Sequence, residues 1–502
     1  MDLLNDLILG IGVAFTPVNL GYCFVGVLLG TLVGVLPGLG PTATIAMLLP
    51  ATFVLPPISA LIMLAGIYYG SQYGGSTTAI LINLPGESAS VVTAIDGYQM
   101  ARQGRAGAAL AAAGIGSFFA GTVATLLIAL FAPPLAKVAL EFGPWENFSL
   151  MVLGLVASVA LAHGSVLKAL GMIALGLLLG MVGQDVETGQ PRFTFGIPDL
   201  AEGINFVAIS MGLFGIAEII RNLENEHLRE VMVRKVSGLL PTREDARRMV
   251  PAILRGTGLG SLLGILPGGG SILSSFAAYS LEKKLSRRPQ EFGRGAIEGV
   301  AGPESANNAG AQTSFIPMLT LGIPPTPVMA LMVGAMIIKG IQPGPLVMTE
   351  QPDLFWGLIA SMWIGNFFLI VLNLPLIGIW VRLLKVPYHL LFPAILVFCC
   401  IGVYSLRNNV FDVYVTVVFG LVGYILVKLE CEPAPLLLGF VLGPMMEEHL
   451  RRALLLSRGD PLVFVTRPIS GTLLALTVLV LLVMISPAIR RKREEAFQEE
   501  PG

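Results

Sequence analysis

Charge is scarce in this sequence. Asp, Glu, Lys and Arg make up 13% of its 502 residues, against roughly 25% in an ordinary soluble domain, and no Lys or Arg precedes Arg102. The balance is close to neutral, at −1, so there is no basic face to neutralise phosphates, and a nucleic-acid partner is excluded. The opening "MDLLNDLILG" lacks the basic n-region of a removable secretory signal, so the N-terminus is expected to be retained and to lie outside. Cysteine is also scarce. Cys23, Cys399, Cys400 and Cys431 stand in apolar stretches without CxxC spacing, which supplies neither a disulfide framework nor a zinc site and leaves packing as their role.

Several catalytic and energy-coupling patterns are missing as well. There is no Gly-Lys dipeptide, hence no Walker A loop and no ATP hydrolysis through one. H-E-x-x-H and G-x-S-x-G are absent, and His163, His227, His389 and His449 lack metal-ligand spacing, so no metal site is expected. If the chain transports, an ion gradient must drive it, with Na⁺ or H⁺ as coupling ion and no other cofactor.

What the sequence has in abundance is apolar length. Hydrophobic residues make up 54%, and apolar runs recur at 106–132, 148–162, 165–183, 203–220, 354–381 and 469–486. A helix needs about 20 such residues to cross a hydrocarbon core of ~30 Å. The chain reads as an all-α polytopic protein of the lipid bilayer, with about 11–14 transmembrane or re-entrant helices.

Glycine is the second excess, at 59 residues, and its placement repeats. "LGTLVGVLPGLG" (29–40) matches "LGSLLGILPGGG" (259–270), pairing Gly30 with Gly260, Gly34 with Gly264, Pro37 with Pro267, Gly38 with Gly268 and Gly40 with Gly270. A weaker echo follows: "YYGSQYGGSTTAILINLPG" (68–86) aligns with "ESANNAGAQTSFIPMLTLGIPP" (304–325) across a gap of about three residues.

Loop charges test the orientation of the two copies, because basic residues collect in cytoplasmic loops. After the first Pro-Gly break, "LLPATFVLPP" (48–57) is uncharged, whereas "LEKKLSRRPQEFGR" (281–294) after the second carries five basic residues. The next connections reverse this: "DGYQMARQGRAG" (96–107) is basic, and "KGIQPGPLVMTEQPD" (339–353) holds one Lys against two acids. The copies are therefore expected in inverted topology. Residues 1–220 form the first membrane repeat, 221–255 a cytoplasmic linker rich in Arg, 256–486 the second repeat and 487–502 a cytoplasmic tail. The short run 433–446 leaves the parity of the C-terminus open.

Backbone groups freed by Pro or Gly find no water in the bilayer core, so broken segments survive only where they are buried in protein or line a cavity. Broken, corresponding segments in inverted repeats point to a secondary transporter that holds its substrate near the midplane at the ends of half-helices. Free N–H groups and the positive dipole end at a helix start suit an anion such as a carboxylate. Gly30 and Gly34 fit a second reading, small-xxx-small helix packing.

Hydroxyls and amides cluster beside the breaks, and neutral donors can replace an anion's hydration shell without burying a charge. The candidate substrate-binding residues are Gly38, Thr42, Gly75, Ser76, Thr77 and Asn83 in the first half, and Gly269, Ser271, Asn307, Asn308, Gln312, Thr313 and Pro324 in the second. Any one of these groups could instead bond only neighbouring backbone. An acid at membrane depth is a default proton or cation site. Glu304, beside Asn307 and Asn308, is accordingly the candidate ion-coupling residue, together with Ser274. Asp96 before Gly97 reads as an Asx-turn residue at the cytoplasmic surface, and Glu87 fits either role.

At these residues the chain resembles the large membrane subunit of the bacterial tripartite tricarboxylate transporters. The resemblance spans nearly its whole length and rests on "GVLPGLGPT" (34–42), "YYGSQYGGSTTAILINLPGE" (68–87), "DGYQMARQGRAG" (96–107), "GILPGGG" (264–270), "GPESANNAGAQTSFIPMLTLGIPPTP" (302–327) and "GIQPGP" (340–345). It implies a multi-pass permease of the bacterial inner membrane that partners a small membrane subunit of about four spans and a periplasmic solute-binding protein. Such a permease imports tricarboxylates or other carboxylates by cation symport. It maps the site onto 37–44, 74–87, 267–275 and 304–326. Two other readings stay open: a free-standing carrier for organic anions, and an intramembrane enzyme with "GGSTT" supplying the nucleophile.

Overall fold

A proline or glycine marks most places where a helix starts or stops. Pro17, Pro41, Pro57, Pro327, Pro352 and Pro433 each occupy a first helical position, where the missing N–H costs nothing and the fixed φ suits a helix. The computed structural model describes residues 3–36, 39–161, 165–185, 188–224, 238–239, 241–266, 270–384 and 388–485. The described part is all-α apart from one tiny antiparallel hairpin, β1 (Gly183–Gln184) with β2 (Pro191–Arg192).

The first eight helices are α1 (Leu3–Ala14), α2 (Pro17–Gly34), α3 (Pro41–Leu48), α4 (Pro57–Ile82), α5 (Val91–Arg102), α6 (Ala106–Ala139), α7 (Pro144–Leu161) and α8 (Val166–Gly180). After the β-hairpin come α9 (Phe206–Ser210) and α10 (Ala217–Glu224), joined by a π-helical turn. Then follow α11 (Arg243–Gly264), α12 (Gly270–Leu285), α13 (Glu298–Thr313), α14 (Phe315–Leu321), α15 (Pro327–Ile338), α16 (Val347–Glu350) and α17 (Pro352–Asn373). The chain closes with α18 (Ile377–Leu383), α19 (Tyr388–Arg407), α20 (Val410–Lys428), α21 (Pro433–Leu456), α22 (Val463–Thr466) and α23 (Pro468–Ile485). Among the described residues, α2, α6, the α9–α10 unit, α17 and α20 are long and apolar enough to cross a bilayer, and shorter apolar helices accompany them. The chain is a multi-pass membrane protein.

Glycine spacing sets how the helices meet. A Cβ added at Gly26, Gly30 or Gly34 of α2 would run into the backbone of Met63, Ile67 or Ser71 of α4 in turn. Reciprocally, one at Gly70 would lie 2.5 Å from Val27 O, and one at Gly74 2.6 Å from the carbonyl carbon of Gly34. Both partners advance four residues together, so α2 and α4 run parallel with their backbones touching, the small-xxx-small packing of membrane helices. Because α4 starts again on the side where α2 starts, the connection through α3 must turn back, so α2 and α3 form a helical hairpin.

The second half repeats this contact. Cβ atoms at Gly256, Gly260 and Gly264 of α11 would strike the backbone of Gly302, Ala306 and Gly310 of α13. α12 then returns antiparallel, with Ser274 beside Gly310 and Glu282 beside Gly302. Between α2 and α11 the offset is 230 residues (26 to 256), and between α4 and α13 it is 239 (63 to 302). The same 239 relates Asn83 to Gly322, both left-handed at φ 56° and 70°, and Pro85 to Pro324. The weaker echo in the sequence therefore aligns without a gap, from 63–85 onto 302–324. The gap arose from matching Tyr68 to Glu304, whereas Ile67 occupies the position of Ala306.

The two units cross. Ser76 of α4 meets Glu304 of α13, while Tyr69, earlier in α4, packs on Phe315, later in the chain, at 6.1 Å between ring centroids. α4 and α13 thus run antiparallel, and Tyr68, Tyr69 and Phe315 are among the largest fully buried side chains.

Polar links tie the helix ends together. Arg105 before α6 pairs with Asp245 at the start of α11 at 2.5 Å, and Lys339 after α15 donates to Leu55 O before α4 at 2.7 Å. Asp96 corrects an expectation. α5 continues past it to Arg102, and the fully buried carboxylate accepts from the N–H groups of Gly293, Gly295 and Ala296 and from Tyr279 Oη. It anchors the loop entering α13 rather than making a turn. The run 433–446 is not short: α21 continues to Leu456 and lies parallel to α8, Gly176 against Leu436 and Gly180 against Phe440.

Candidate substrate cavity and its polar core

Where two helices restart after a break, their first N–H groups have no carbonyl to bond within the helix. In α3 these belong to Thr42 and Ala43, behind the N–H-less Pro41. In α12 they belong to Ser271 and Ile272, behind Gly270, which turns with φ +43°. Both starts open onto one cavity of about 710 Å³, within the size range of small-molecule sites.

The loops after α4 and α14 complete its inner wall. Each doubles back because a left-handed residue, Asn83 or Gly322, ends the helix two positions before a proline. The returning loop then seats beside the hairpin tip. Gly86 N donates to Gly75 O at 3.4 Å, and a Cβ at Gly40 would lie 3.6 Å from Gly86 O. In the other half a Cβ at Gly270 would lie 2.6 Å from Thr326 Cγ2. Pro85, Gly86, Glu87 and Ser88 therefore face the cavity from one loop, and Pro325, Thr326 and Pro327 from the other. Tyr68 lines the deep end. The outer rim comes from Glu218 and Arg221 of α10 and from Val427, Glu430 and Glu432 around the α20–α21 turn.

Among the described residues, Glu87 is the one carboxylate in the inner wall. Asn307 Nδ2 donates to it at 2.7 Å, which links the first loop to α13. Three residues earlier on α13, Glu304 is 1% exposed. Ser76 Oγ donates to its Oε2 at 2.7 Å, and Thr93 Oγ1 donates to Oε1. The polar core thus runs from the cavity wall through Asn307 to Glu304. The cavity offers two convergent helix dipoles, each favouring negative charge, with neutral hydroxyls around them.

The residues expected from sequence divide into groups. Thr42 and Ser271 line the large cavity. Asn307 reaches it through Glu87. Gly75 packs beneath the loop, where a Cβ would meet Glu87 Cγ at 3.3 Å, and Pro324 directly precedes the lining residues 325–327. Ser76 and Thr77 face a separate small cavity with Glu304. Asn308 donates to Ser117 Oγ at 2.7 Å; Thr313 bonds its own helix at Ala309 O; Gln312 is buried, its Oε1 without a partner. Asn83 is exposed and serves as the left-handed stop of α4. Ser274 bonds Gly270 O at 2.6 Å and is not a partner of Glu304. Gly38 and Gly269 lie outside the described residues. Gly30 and Gly34 are packing residues of the α2–α4 contact.

Sequence reasoning passed over Tyr68, Tyr73, Thr93, Ser117 and Asn373, and took in Thr326 only as the last position of the stretch 304–326. The 239-residue offset would have flagged Thr326 as the counterpart of Glu87. The others come from helices that only tertiary packing brings together, and no local pattern marks them.

Comparison with known proteins bears on this arrangement. The family model described as the tripartite tricarboxylate transporter TctA family matches residues 20–438. A protein of Agrobacterium vitis, described as an uncharacterized 52.8 kDa protein in the TAR-I ttuC' 3' region, is 67% identical over 500 residues, covering 100% of both chains. Another from Agrobacterium vitis, an uncharacterized protein in the TAR-II ttuC' 3' region, is 65% identical over 241 residues, which is 48% of this chain and 100% of that one. No solved structure matches.

Proposed function

The chain belongs to the tripartite tricarboxylate transporter family as its large membrane subunit, and on that premise we propose that it imports carboxylates by an ion-driven, binding-protein-dependent cycle. It is a transporter subunit and not an enzyme. The observation that carries the reading is the convergence of two helix starts, those of α3 and α12, on one cavity.

A carboxylate entering that cavity meets unpaired N–H groups from opposite halves of the molecule, each backed by a helix dipole. Thr42, Ser271 and Tyr68 add donors without adding charge. Because an unpaired buried charge is strongly disfavoured, the site binds the anion best when both starts face it at once. Separating them releases it.

The opposed courses of α4 and α13 and the repeated glycine contacts support two inverted repeats, 1–220 and 256–486, joined by a cytoplasmic linker at 221–255. On this reading the rim residues Glu218 and Arg221 of α10, which precedes the linker, turn the mouth of the cavity toward the cytoplasm. One bundle moving against the other around the hairpin tips would expose the same site to the opposite side. The partners are a periplasmic solute-binding protein that delivers the carboxylate and a small membrane subunit of about four spans. The location is the bacterial inner membrane, and Na⁺ or H⁺ supplies the energy, with Glu304 as coupling residue.

Uptake of labelled di- and tricarboxylates into proteoliposomes holding this chain and its small partner subunit tests the reading. Uptake should require both a cation gradient and the loaded binding protein. Thr42→Val and Ser271→Ala should each raise the half-saturating carboxylate concentration about tenfold, the loss of one charge-assisted hydrogen bond. Full uptake without binding protein would make the chain a free-standing carrier, and unchanged half-saturation in both variants would move the site elsewhere.

A further inference from the structure

A small pocket of about 20 Å³ lies between α4, α6, α13 and α17, separate from the large cavity. That is room for one body the size of a water molecule. Tyr73, Ser76, Thr77, Ser117, Glu304 and Asn373 supply its polar wall, and among the described residues Glu304 is the single charged one in it.

Two features of that wall lack a counterpart. The Glu304 carboxylate receives hydroxyl hydrogen bonds from Ser76 and Thr93 but faces no Lys or Arg across the space. Asn373 is 4% exposed. Its Nδ2 donates to Leu369 O at 2.9 Å, while its Oδ1 has no partner. A buried amide oxygen and a buried carboxylate both lose their hydration and need replacement. A water molecule would satisfy the amide but leave the carboxylate to be neutralised by a proton of its own. A divalent ion would over-neutralise one carboxylate. A monovalent cation no larger than water balances the charge and draws on hard oxygen ligands from the amide, carboxylate and hydroxyls.

We propose that this cavity binds one dehydrated Na⁺, held by Glu304 and Asn373 with hydroxyl oxygen from Ser117. The inference deepens the ion-driven reading above and rests on it only for its role in transport, since binding can be measured on the chain at rest. The link to cargo is short. Glu304 and Asn307 share one face of α13, and Asn307 holds Glu87 in the wall of the large cavity. An ion that fixes Glu304 therefore also fixes the helix that positions the substrate loop.

Thermal melting of the purified chain in lipid nanodiscs tests this without substrate, with NaCl exchanged for choline chloride or KCl at constant ionic strength. The wild type should be stabilised saturably by Na⁺ and not by K⁺ or choline. Asn373→Ala should raise the Na⁺ midpoint about tenfold or more, and Glu304→Gln should abolish the Na⁺ response. If Glu304→Gln does not fold, Asn373→Ala and Ser117→Ala still decide the matter. A wild-type melt identical in Na⁺ and choline, a response that follows pH but not Na⁺, or an unchanged midpoint in Asn373→Ala would overturn the proposal. Na⁺-driven uptake that survives an unaltered midpoint would remove this site and keep the transport reading. A Na⁺ midpoint that depends on Asn373, with uptake indifferent to a Na⁺ gradient, would keep the site and remove Na⁺ coupling.

Discussion

The unit α2–α3–α4 and the unit α11–α12–α13 make the same backbone contact from different sequences. In the first, Gly26, Gly30 and Gly34 meet Met63, Ile67 and Ser71; in the second, Gly256, Gly260 and Gly264 meet Gly302, Ala306 and Gly310. Only one partner needs to be glycine at each level, and the other is free to carry function. The return arms differ more. α3 has eight residues and no charge. α12 has sixteen and ends in Glu282, Lys283 and Lys284, with Glu282 bonded twice by Arg255 across the hairpin, at 2.7 and 2.5 Å. Small residues set the shape of each hairpin, and the water or lipid at its open end sets the charge.

The strongest way to break that comparison is to fill the ladder. Gly30→Val and Gly260→Val each place carbon inside a partner's backbone, which a rigid helix pair cannot accommodate. Each should cost about 3 kcal/mol or more, the upper range for overpacking, read as loss of folded protein or a large drop in melting temperature in detergent. Gly21, with nothing within 4 Å, is the control, and Gly21→Ala should change stability by less than about 0.5 kcal/mol. Equal tolerance at Gly21 and Gly30 would undo the close-packed description.

The next test separates the copies. Glu282→Ala leaves the half-exposed Arg255 without its partner. Removing one member of a buried pair costs about 3–5 kcal/mol, but the Arg255 side chain is 39% exposed, so about 1–3 kcal/mol is expected. The loss should be visible in melting and partly restored in Arg255→Leu/Glu282→Leu. No substitution in α3 has an equivalent, because its open end contains no ion pair.

Much of this was readable from composition and spacing. Few charges, long apolar runs and paired Pro-Gly breaks led to an all-α membrane protein with broken helices, and the 230-residue offset identified α2 with α11. The alignment of α4 with α13 was misplaced because its signal is steric: what repeats there is closeness of backbone, which Ile67 and Ala306 satisfy alike. Asp96 was misread for a related reason. Asp-Gly suggests a local turn, and nothing local reveals that the carboxylate serves a loop nearly two hundred residues later. Asn373 and Ser117 were invisible since each gains meaning only from the helices packed against it.

The smallest expected effect concerns how the two units begin. α2 starts at Thr16, whose hydroxyl accepts from Asn19 N at 3.4 Å, with no titratable group in the cap. α11 starts with a capping box in which Thr242 and Asp245 bond each other's backbone, and Asp245 also pairs with Arg105. Burial pushes the Asp245 carboxyl up, but the Thr242 hydroxyl and N–H and the Arg105 guanidinium outweigh it and hold the group below its ordinary value. A carboxyl depressed in the folded state stabilises above its unfolded pKa, about 3.9, and loses that contribution as pH falls through the folded value. Acidification below about pH 4 should therefore loosen the start of α11 while leaving that of α2 intact. Amide exchange at 243–248 should quicken there, and Asp245→Asn should flatten that dependence while costing under about 1 kcal/mol at neutral pH. Equal acid sensitivity at residues 17–22 would mean that the two starts are held by the same force after all.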